Sequence, residues 1–345
     1  MDILNDKIIL ITGGSGTIGE SLVMHILKNH SPKIIRIFSR DETKQSYLAR
    51  KLEKYDKQLR FFIGDIRDKE RLYRAIEDVD IVFHLAALKH VVACEYNPFE
   101  AIKTNVLGLQ NLIETCIDKN VEKVIFTSTD KAATPCNTMG VTKLLGEKLI
   151  TASNYYKGRK KTIFYSVRFG NVLGSRGSLI PLIKNQINNN LSITITHSDM
   201  TRYIMVTETA IRLILKTLEI AQGGEVFVLK MDAIKIIDLI EVLIDFFAKK
   251  NNKIQEKIQI KEIGMFAGEK LYEELFSIEE AERSYEINDL YIIFPQLTEV
   301  YKKIDLSEYP NIKKFDKSKP FNSKNGPFLS KKEIKEFLIK NNIIK

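Results

Sequence analysis

Short apolar runs rich in β-branched residues alternate with segments of helical periodicity through the first two-thirds of the chain. The runs predict strands at Ile8–Thr12, Ile34–Ser39, Leu59–Gly64, Ile81–Leu85, Lys123–Thr127 and Thr162–Arg168. Helical segments lie between these strands, and such alternation indicates a parallel sheet. Because crossovers between parallel strands are right-handed, the helices are expected on both faces of the sheet. The pattern therefore predicts an α/β fold with a doubly wound parallel sheet.

The pattern becomes less regular after Gly174. It predicts helices at Leu179–Asn189, Glu208–Ala221, Ile236–Lys249, Gly268–Phe276 and Lys331–Lys340, and strands at Ser192–Thr196, Glu225–Leu229 and Lys257–Ile263. A chain of 345 residues has room for two lobes. We predict that residues 1–175 and 203–235 form the doubly wound lobe. Residues 176–202 and 236–345 are expected to form a smaller C-terminal α/β lobe and tail that bind the substrate.

Composition and charge narrow the class of protein. The net charge is +9, but Lys and Arg are spread along the chain, which argues against a nucleic-acid interface. The three cysteines have no paired spacing, as in proteins of a reducing compartment. No apolar run approaches the roughly 20 residues that span a bilayer, and Met1 is followed almost directly by an apolar strand. We therefore expect a cytoplasmic protein with no membrane insertion.

A glycine-rich loop follows the first predicted strand. Gly13, Gly16 and Gly19 form a G-x-x-G-x-x-G pattern that leads into a helix. The glycines allow a tight turn and close backbone approach, and the helix N-terminus offers amides to a pyrophosphate. A plain strand–helix turn is the alternative, but after the first strand of an alternating fold this pattern predicts a dinucleotide site.

The end of the second predicted strand bears on the choice of cofactor. An acidic residue directly at this strand end would bind the ribose 2′-hydroxyl of NAD. Here the chain reads Ser39-Arg40-Asp41, and Arg40, together with Ser39 and Lys44, can bind a 2′-phosphate instead. We predict NADP, with NAD as the less favoured cofactor and a surface arginine as the alternative interpretation of Arg40.

Polar residues cluster after the strand at Lys123–Thr127. Thr129, Asp130 and Lys131 lie there, and Lys143 lies one helical turn beyond Met139 on the same face. Ligands of doubly wound sheets bind outside the carboxyl ends of the strands. We therefore predict the active site at these residues, with a surface Asp-Lys pair as the alternative.

These motifs resemble the extended short-chain dehydrogenases/reductases, which have a Rossmann-type fold. The run Ser128–Ala132 and the pattern from Pro135 to Lys143 are similar to the inverting UDP-N-acetylglucosamine 4,6-dehydratases of capsule, O-antigen and flagellin-glycan pathways. Further matching runs are 87–91, 102–108, 168–175 and 268–271. The resemblance spans residues 7 to about 300, a range far wider than any single motif.

The resemblance implies oxidation at C4 of the sugar, elimination of water across C5 and C6, and return of the hydride to C6. Asp130 is then the acid for the 6-hydroxyl, which requires a pKa raised by burial. Lys131 is the C5 base, which requires a lowered pKa. Thr129 is expected to bind the 4-oxygen, and Lys143 the nicotinamide ribose.

Met139 departs from the pattern of most short-chain dehydrogenases, which have a tyrosine at this position. A thioether cannot take the proton of the oxidised hydroxyl. One branch of the inverting dehydratases, from capsule and fucosamine pathways, carries methionine there, and the segment from Gly268 to Glu280 is similar to that branch. We therefore predict an active enzyme in which Lys131, Asp130 or a water relay takes this proton.

The resemblance also assigns the remaining binding residues. The cofactor is expected to contact Gly13, Ser15, Gly16, Thr17, Ile18, Gly19, Ser39, Arg40, Lys44, Asp65, Ile66, Leu85, Ala86, Ala87, Asn105 and Lys143. The UDP-sugar is expected to contact Lys89, His90, Asn171, Ser178, Arg202 and Glu269. Lys89 and His90 have a solvated rim pair as their alternative. The family's usual arginine just before Gly-Glu-Lys is absent, since Ala267 precedes Gly268. No metal site is expected.

Two other functions compete with dehydration. A 4-epimerase needs only the redox step at C4, but epimerases normally keep the tyrosine and do not need the Asp-Lys pair. A non-catalytic NADP-binding regulator is favoured by Met139 and opposed by Asp130, Lys131 and Lys143. We also expect a homo-oligomer, because this fold commonly pairs through the helices that hold Asn105 and Lys143.

Overall fold

The computed structural model describes residues 2–175, 179–250 and 258–344. The strands are β1 (Ile8–Thr12), β2 (Ile34–Ser39), β3 (Leu59–Ile63), β4 (Ile81–His84), β5 (Lys123–Thr129), β6 (Ile163–Phe169), β7 (Asn171–Val172), β8 (Ile193–Ile195), β9 (Thr201–Met205), β10 (Val226–Leu229), β11 (Asp232–Lys235), β12 (Ile260–Glu262), β13 (Ser284–Ile287), β14 (Leu290–Ile293) and β15 (Lys313–Lys314).

The α-helices are α1 (Thr17–Asn29), α2 (Glu42–Lys51), α3 (Lys69–Ala75), α4 (Val91–Tyr96), α5 (Pro98–Ile102), α6 (Gly108–Asp118), α7 (Thr138–Tyr156), α8 (Leu179–Asn188), α9 (Thr207–Ile220), α10 (Ile236–Lys250), α11 (Ile278–Ala281), α12 (Thr298–Tyr301) and α13 (Lys331–Lys340). A π-helical turn at Lys103–Leu107 joins α5 to α6.

A ten-stranded sheet forms the centre of the molecule, in the order β3-β2-β1-β4-β5-β6-β10-β14-β13-β15. Neighbouring strands from β3 to β10 are parallel. The strand order reverses between β1 and β4, as expected for a doubly wound sheet. The predicted α/β fold class is therefore confirmed. At the far edge, β14, β13 and β15 are antiparallel, a feature that the sequence pattern did not predict.

Apolar side chains cover both faces of this sheet. On one face, Leu22 and Ile26 of α1 pack with Ile211 and Ile214 of α9. On the other face, α3, α6 and α7 pack over β1, β4 and β5. Strands such as β1 are buried on both sides because their residues are almost uniformly apolar, as in parallel sheets.

A smaller group of elements lies at the carboxyl ends of the parallel strands. Helices α8, α10 and α13 share an apolar core with β8 and β11. Two small sheets complete it, one of β11, β9 and β7 and one of β12 and β8. Residues 284–293 were predicted to lie in this second lobe, yet as β13 and β14 they extend the main sheet.

The predicted helix at Gly268–Phe276 is wrong. This segment is irregular, with a single bridge from Glu274 to Asn322. Gly268 has φ +80°, which helical backbone does not allow. The chain beyond it bonds to other parts of the molecule, since the Leu275 amide donates to the Phe321 carbonyl at 2.9 Å. Tertiary contacts therefore override the helical periodicity of this segment.

Within the described ranges, no helix combines the length and the apolar character needed to span a membrane.

Candidate active site

A cleft of about 1510 Å³ opens at the carboxyl ends of the parallel strands. Many predicted site residues line it, namely Gly13, Ser15, Gly16, Thr17, Ile18, Gly19, Ser39, Arg40, Lys44, Asp65, Ile66, Leu85, Ala86, Ala87, Lys89, His90, Thr129, Lys131, Met139, Lys143, Asn171, Arg202 and Glu269. Asp130 and Asn105 lie behind the lining. Ser178 is outside the described residues.

The glycine loop forms one end of the cleft, directly after β1. Gly13 has φ +68°, and a Cβ at this position would lie 2.8 Å from the Ala86 nitrogen. A Cβ at Gly19 would lie 2.5 Å from the Cα of Gly14. Helix α1 begins at Thr17, so its free amides face the loop. This backbone cradle, which only glycine permits, fits the pyrophosphate of a dinucleotide.

One network of hydrogen bonds fixes the end of β2. Ser39 Oγ accepts hydrogen bonds from Ser15 Oγ and from the buried Gln45 Nε2, both at 2.9 Å. Gln45 was not predicted as a site residue, because nothing in the sequence around it indicated that its side chain would contact the end of β2. Gln45 fixes the strand end by also donating to the carbonyls of Ser39 and Phe62.

Arg40 lies at the mouth of this end of the cleft, with a side chain that is 55% exposed. Its guanidinium is 3.6 Å from Asp65, which also pairs with Arg67 at 2.6 Å. Burial opposes ionisation of Asp65, but its hydrogen bonds from Arg67 outweigh this and lower its pKa. Lys44 pairs with Asp41 at 2.6 Å. Arg40 is thus a cation at the cleft whose ion pair with Asp65 is long.

Asn105 holds the wall of the cleft instead of facing it. Its side chain, in the π-helical turn, accepts from the Leu88 amide at 2.8 Å and donates to the Leu88 carbonyl and Thr142 Oγ at 3.0 Å. These bonds fix the loop after β4 against α7. Contact of Asn105 with the cofactor stays a prediction.

Lys143 and Met139 face the cleft from the first turns of α7. Lys143 Nζ donates to the Thr127 carbonyl at 2.8 Å, and burial lowers its pKa to about 8 against the attraction of Glu147. Met139 is 4% exposed and packs against Cys94 and Ala101. Met139 thus occupies an apolar niche and cannot exchange protons.

The last residue of β5 and the residues that follow it form a chain of hydrogen bonds that leads away from the cleft. Thr129 Oγ donates to Asp130 Oδ1 at 2.7 Å, and Lys131 Nζ lies 3.1 Å from the same oxygen. Asp130 is 2% exposed. Its second oxygen, Oδ2, is buried and has no donor in the described part of the chain. Thr129 and Lys131 can therefore touch a ligand, whereas Asp130 acts through them.

Glu273 joins this group from the irregular segment and was not predicted as a site residue. Its Oε1 accepts from Lys131 Nζ at 2.8 Å and lies 3.4 Å from Arg202 Nε. Its Oε2 accepts from Asn171 Nδ2 at 2.7 Å. Glu273 is 3% exposed and lies within hydrogen-bonding reach of Asp130. The sequence carries this residue in the matching Gly268–Glu273 run, but its predicted helix gave no reason to select it.

Glu273 reverses the expected electrostatics of the Asp-Lys pair. Burial would lower the pKa of Lys131, but the carboxylates of Asp130 and Glu273 outweigh burial and raise it. Burial would raise the pKa of Asp130, but Lys131 and neighbouring hydrogen bonds lower it. Burial and repulsion by Asp130 raise the pKa of Glu273 to about 7. The expected directions for Asp130 and Lys131 are therefore wrong, because a third ionisable group shares the site.

Buried contacts hold the segment that carries Glu273. Arg168 Nη1 donates to the Leu275 carbonyl at 2.7 Å, and its guanidinium pairs with Glu147 at 2.6 Å and Glu280 at 3.0 Å. The Glu273 amide donates to Ser323 Oγ at 2.9 Å. Main-sheet and C-terminal residues thus both fix the position of Glu273.

The predicted substrate residues Lys89, His90, Asn171, Arg202 and Glu269 line the same cleft as the glycine loop. Arg202 donates to the Thr201 carbonyl at 2.7 Å, and Glu269 accepts from the Phe266 amide at 3.0 Å. Burial lowers the pKa of Lys89. His90 directly precedes α4, and its side chain makes no capping hydrogen bond to that helix. These polar groups and the apolar side chains of α8 and α10 together line a region that can accept a nucleotide.

Comparison with known proteins places the chain in a family. The family described as polysaccharide biosynthesis protein matches residues 9–295. An uncharacterized membrane protein of Methanocaldococcus jannaschii is 50% identical, with 96% of this chain and 95% of that protein covered. A UDP-N-acetylglucosamine 4,6-dehydratase (inverting) of Campylobacter jejuni is 41% identical, with 97% and 98% covered. A UDP-glucose 4-epimerase of Rickettsia bellii is 40% identical, with 97% and 96% covered.

Solved structures agree with these matches. The X-ray structure of Pen from Bacillus thuringiensis superposes with a TM-score of 0.92 at 42% identity, covering 99% of this chain and all of that one. DesIV, a dTDP-glucose 4,6-dehydratase from Streptomyces venezuelae, gives a TM-score of 0.68 at 21% identity, with 76% and 86% covered, and shows the fold alone. The resemblance predicted from the sequence motifs is confirmed.

Proposed function

The chain belongs to the polysaccharide biosynthesis protein family, and from this membership we propose that it is an NADP-dependent UDP-N-acetylglucosamine 4,6-dehydratase that inverts C5. Its full-length relatives include enzymes named as dehydratases and as epimerases of UDP-sugars, which supports an enzyme that modifies nucleotide sugars. The observation that carries the finer proposal is the cluster of Thr129, Asp130 and Lys131 at the cleft, with Lys143 beside it.

NADP would bind along the glycine loop, with Arg40 at the 2′-phosphate and Lys143 at the nicotinamide ribose. When bound, the nicotinamide supplies reversible hydride transfer. The protein itself must supply the acid and base groups that transfer protons. Thr129 and Lys131 are placed to do so, because both line the cleft and both bond to the buried Asp130.

Dehydration requires more proton transfers at this site than epimerisation does. An epimerase needs acid–base help at the 4-oxygen only, whereas a dehydratase must also remove the C5 proton and protonate the departing 6-oxygen. A half-buried lysine joined to two carboxylates serves the additional steps, which epimerisation does not require. Epimerisation at C4 is the second candidate function, because the relative from Rickettsia bellii is named as an epimerase.

The UDP-sugar would lie across the second group of elements. Arg202 offers donors to the diphosphate, and Glu269 and Asn171 add polar contacts along the same wall. Lys89 and His90 would face the sugar or its phosphates from the rim. In this proposal residues 1–175 and 203–235 hold the cofactor, and most of the remaining chain holds the substrate.

We place the enzyme in the cytoplasm as a homo-oligomer. Its described cysteines are free, as in a reducing compartment. Large apolar side chains are exposed on helices α4 to α7, and such surfaces mark contacts between subunits. They are Val92, Tyr96, Phe99, Leu107, Val141 and Leu145. Sedimentation analysis of the purified protein tests this, and a monomer at micromolar concentration would contradict it.

The decisive experiment incubates the protein with UDP-N-acetylglucosamine and NADP⁺ in heavy water. We expect a product lighter by one water, with a C6 methyl group and deuterium at C5, by mass spectrometry and proton NMR. Ring couplings then give the C5 configuration. An unchanged mass with inversion at C4 would establish the epimerase. Tight NADP binding without turnover would favour the non-catalytic regulator.

A further inference from the structure

Lys131 presents a chemical problem for the function proposed above. Lys131 is the residue to which the proposal assigns removal of the C5 proton. A lysine can act as a base only as the neutral amine. Yet two carboxylates hold the Lys131 side chain as an ammonium, at 3.1 Å from Asp130 and 2.8 Å from Glu273. A working base at this position therefore requires a nearby group that accepts the ammonium proton.

Glu273 is placed to accept that proton. The Lys131 ammonium already donates to Glu273 Oε1. Glu273 does not line the cleft, so a proton on it is shielded from the substrate. Asp130, by contrast, already accepts hydrogen bonds from Thr129, the Lys131 amide and the Lys131 ammonium on Oδ1.

Asp130 Oδ2, which lacks a hydrogen-bond donor in the described structure, can accept a hydrogen bond from a protonated Glu273. Asp130 Oδ2 is buried without a donor in the described structure, and a buried acceptor that lacks a donor destabilises the folded state. The Glu273 carboxyl lies within hydrogen-bonding reach of Asp130. A carboxylate at Glu273 has no proton to offer, whereas a carboxylic acid there can donate its O–H to Oδ2.

We infer that Glu273 takes the ammonium proton of Lys131 during turnover, so that Lys131 becomes the free amine that removes the C5 proton while protonated Glu273 donates to Asp130 Oδ2. This inference rests on the proposed dehydratase function. One proton moves from Lys131 Nζ to a Glu273 oxygen, and the ion pair becomes a neutral pair. The amine then takes the C5 proton, and the electron pair of the C5–H bond forms the C5–C6 double bond as the C6–O bond breaks. The Lys131 ammonium that results gives a proton to the departing oxygen, which leaves as water.

Substrate binding favours this transfer. The Lys131 side chain is 24% exposed to the open cleft, so water stabilises its charge before a ligand arrives. A sugar that covers the cleft removes this water, and desolvation favours a neutral pair over an ion pair. Glu273 is therefore a positioning and proton-accepting residue that acts on the substrate only through Lys131.

The inference also predicts a pH dependence. Glu273 must be ionised to accept the proton, and its pKa is raised to about 7. The ionisable groups that face it are Asp130 and Lys131 after β5 and Arg202 and Tyr203 of β9. We expect kcat/KM of the wild-type enzyme to fall as the pH drops below about 7.

The variant test compares Glu273→Gln, Glu273→Asp and the neighbouring Glu274→Gln. Glu273→Gln cannot accept a proton, so we expect kcat to fall about 100-fold or more, with loss of the acidic limb near pH 7. With substrate deuterated at C5, the Glu273→Gln variant should show a larger kinetic isotope effect than the wild type. The rate of C4 oxidation, measured in a single turnover by the absorbance of the reduced nicotinamide, should stay unchanged. Glu273→Asp should restore part of the activity, and Glu274→Gln should behave as wild type.

A second measurement needs no variant. Wild-type enzyme loaded with NADPH cannot oxidise the sugar, so UDP-N-acetylglucosamine can be added without turnover. Infrared difference spectra at a pH of about 8 should then show a new protonated carboxyl group. Absence of that band, or a Glu273→Gln variant with wild-type rate and isotope effect, would overturn the inference. A wild-type enzyme that releases no water would instead overturn the proposed function, and the infrared band would still report the proton.

Discussion

The glycine loop at residues 13–19 and the irregular segment at residues 268–276 both line or support the cleft, but they are built in different ways. The loop is shaped by its own backbone, since Gly13 has φ +68° and Gly19 packs on Gly14. The segment is shaped by distant partners, namely Arg168, Ser323 and Phe321. Local constraints can be recognised in a sequence motif, whereas constraints imposed by distant partners cannot.

The largest expected effect comes from removing the anchor of the segment. Arg168→Met leaves the carboxylates of Glu147 and Glu280 buried without their shared cation, which costs about 3–5 kcal/mol of unfolding free energy. Denaturant unfolding measures the loss. Arg212→Met is the matched control, because Arg212 is 69% exposed and 3.8 Å from Asp289. Equal losses in the two variants would show that Arg168 does not anchor the segment.

The next effect tests the loop by itself. Gly13→Ala places a methyl group 2.8 Å from the Ala86 nitrogen, whereas Gly158→Ala, at a similar φ of +65°, meets nothing within 4 Å. Both variants bear the left-handed backbone cost of about 1–2 kcal/mol. Gly13→Ala should lose about 1–3 kcal/mol more and should weaken NADP binding, as measured by calorimetry. NADP binding that stays unchanged in Gly13→Ala would separate the loop from the cofactor.

A smaller effect concerns the choice of cofactor. Arg40→Ala removes the cation at the end of β2, and we expect the affinity for NADP⁺ to fall about tenfold, or about 1.4 kcal/mol, with little change for NAD⁺. Parallel titrations of the two cofactors check this. A similar loss for both would mean that Arg40 contacts a part that the cofactors share.

The last effect concerns how the contribution of Glu273 to the free energy of unfolding changes with pH. Its pKa is raised from 4.5 to about 7, so the folded chain binds this proton more tightly than the unfolded chain. The resulting stabilisation is complete below the unfolded pKa and is lost as the pH rises through about 7. The stability of wild type minus that of Glu273→Gln should therefore decrease with pH. An increase would mean that Lys131 and Arg202 stabilise the carboxylate more than burial opposes it.

Much of the cofactor side was predictable because its signals are short-range. The predicted strands at β1 and β2 match the structure residue for residue, and the glycines between β1 and α1 occupy the turn that they predict. Of the catalytic group, Thr129, Lys131, Met139 and Lys143 were found from the resemblance and do line one cleft. The place of β13 and β14 on the main sheet was missed because it depends on the pairing of β14 with β10, which lies far back in the sequence.

The sequence by itself determined the alternation of strands and helices, the glycine turn and the residues that follow β5, because each depends on neighbours in the chain. Only the tertiary structure decided the protonation of those residues. The pKa values of Asp130 and Lys131 depend on a carboxyl group more than 140 positions away, with Lys131 and Glu273 separated by 142 positions. Ionisation responds to charges and burial in space, and the sequence spacing of these groups contains neither.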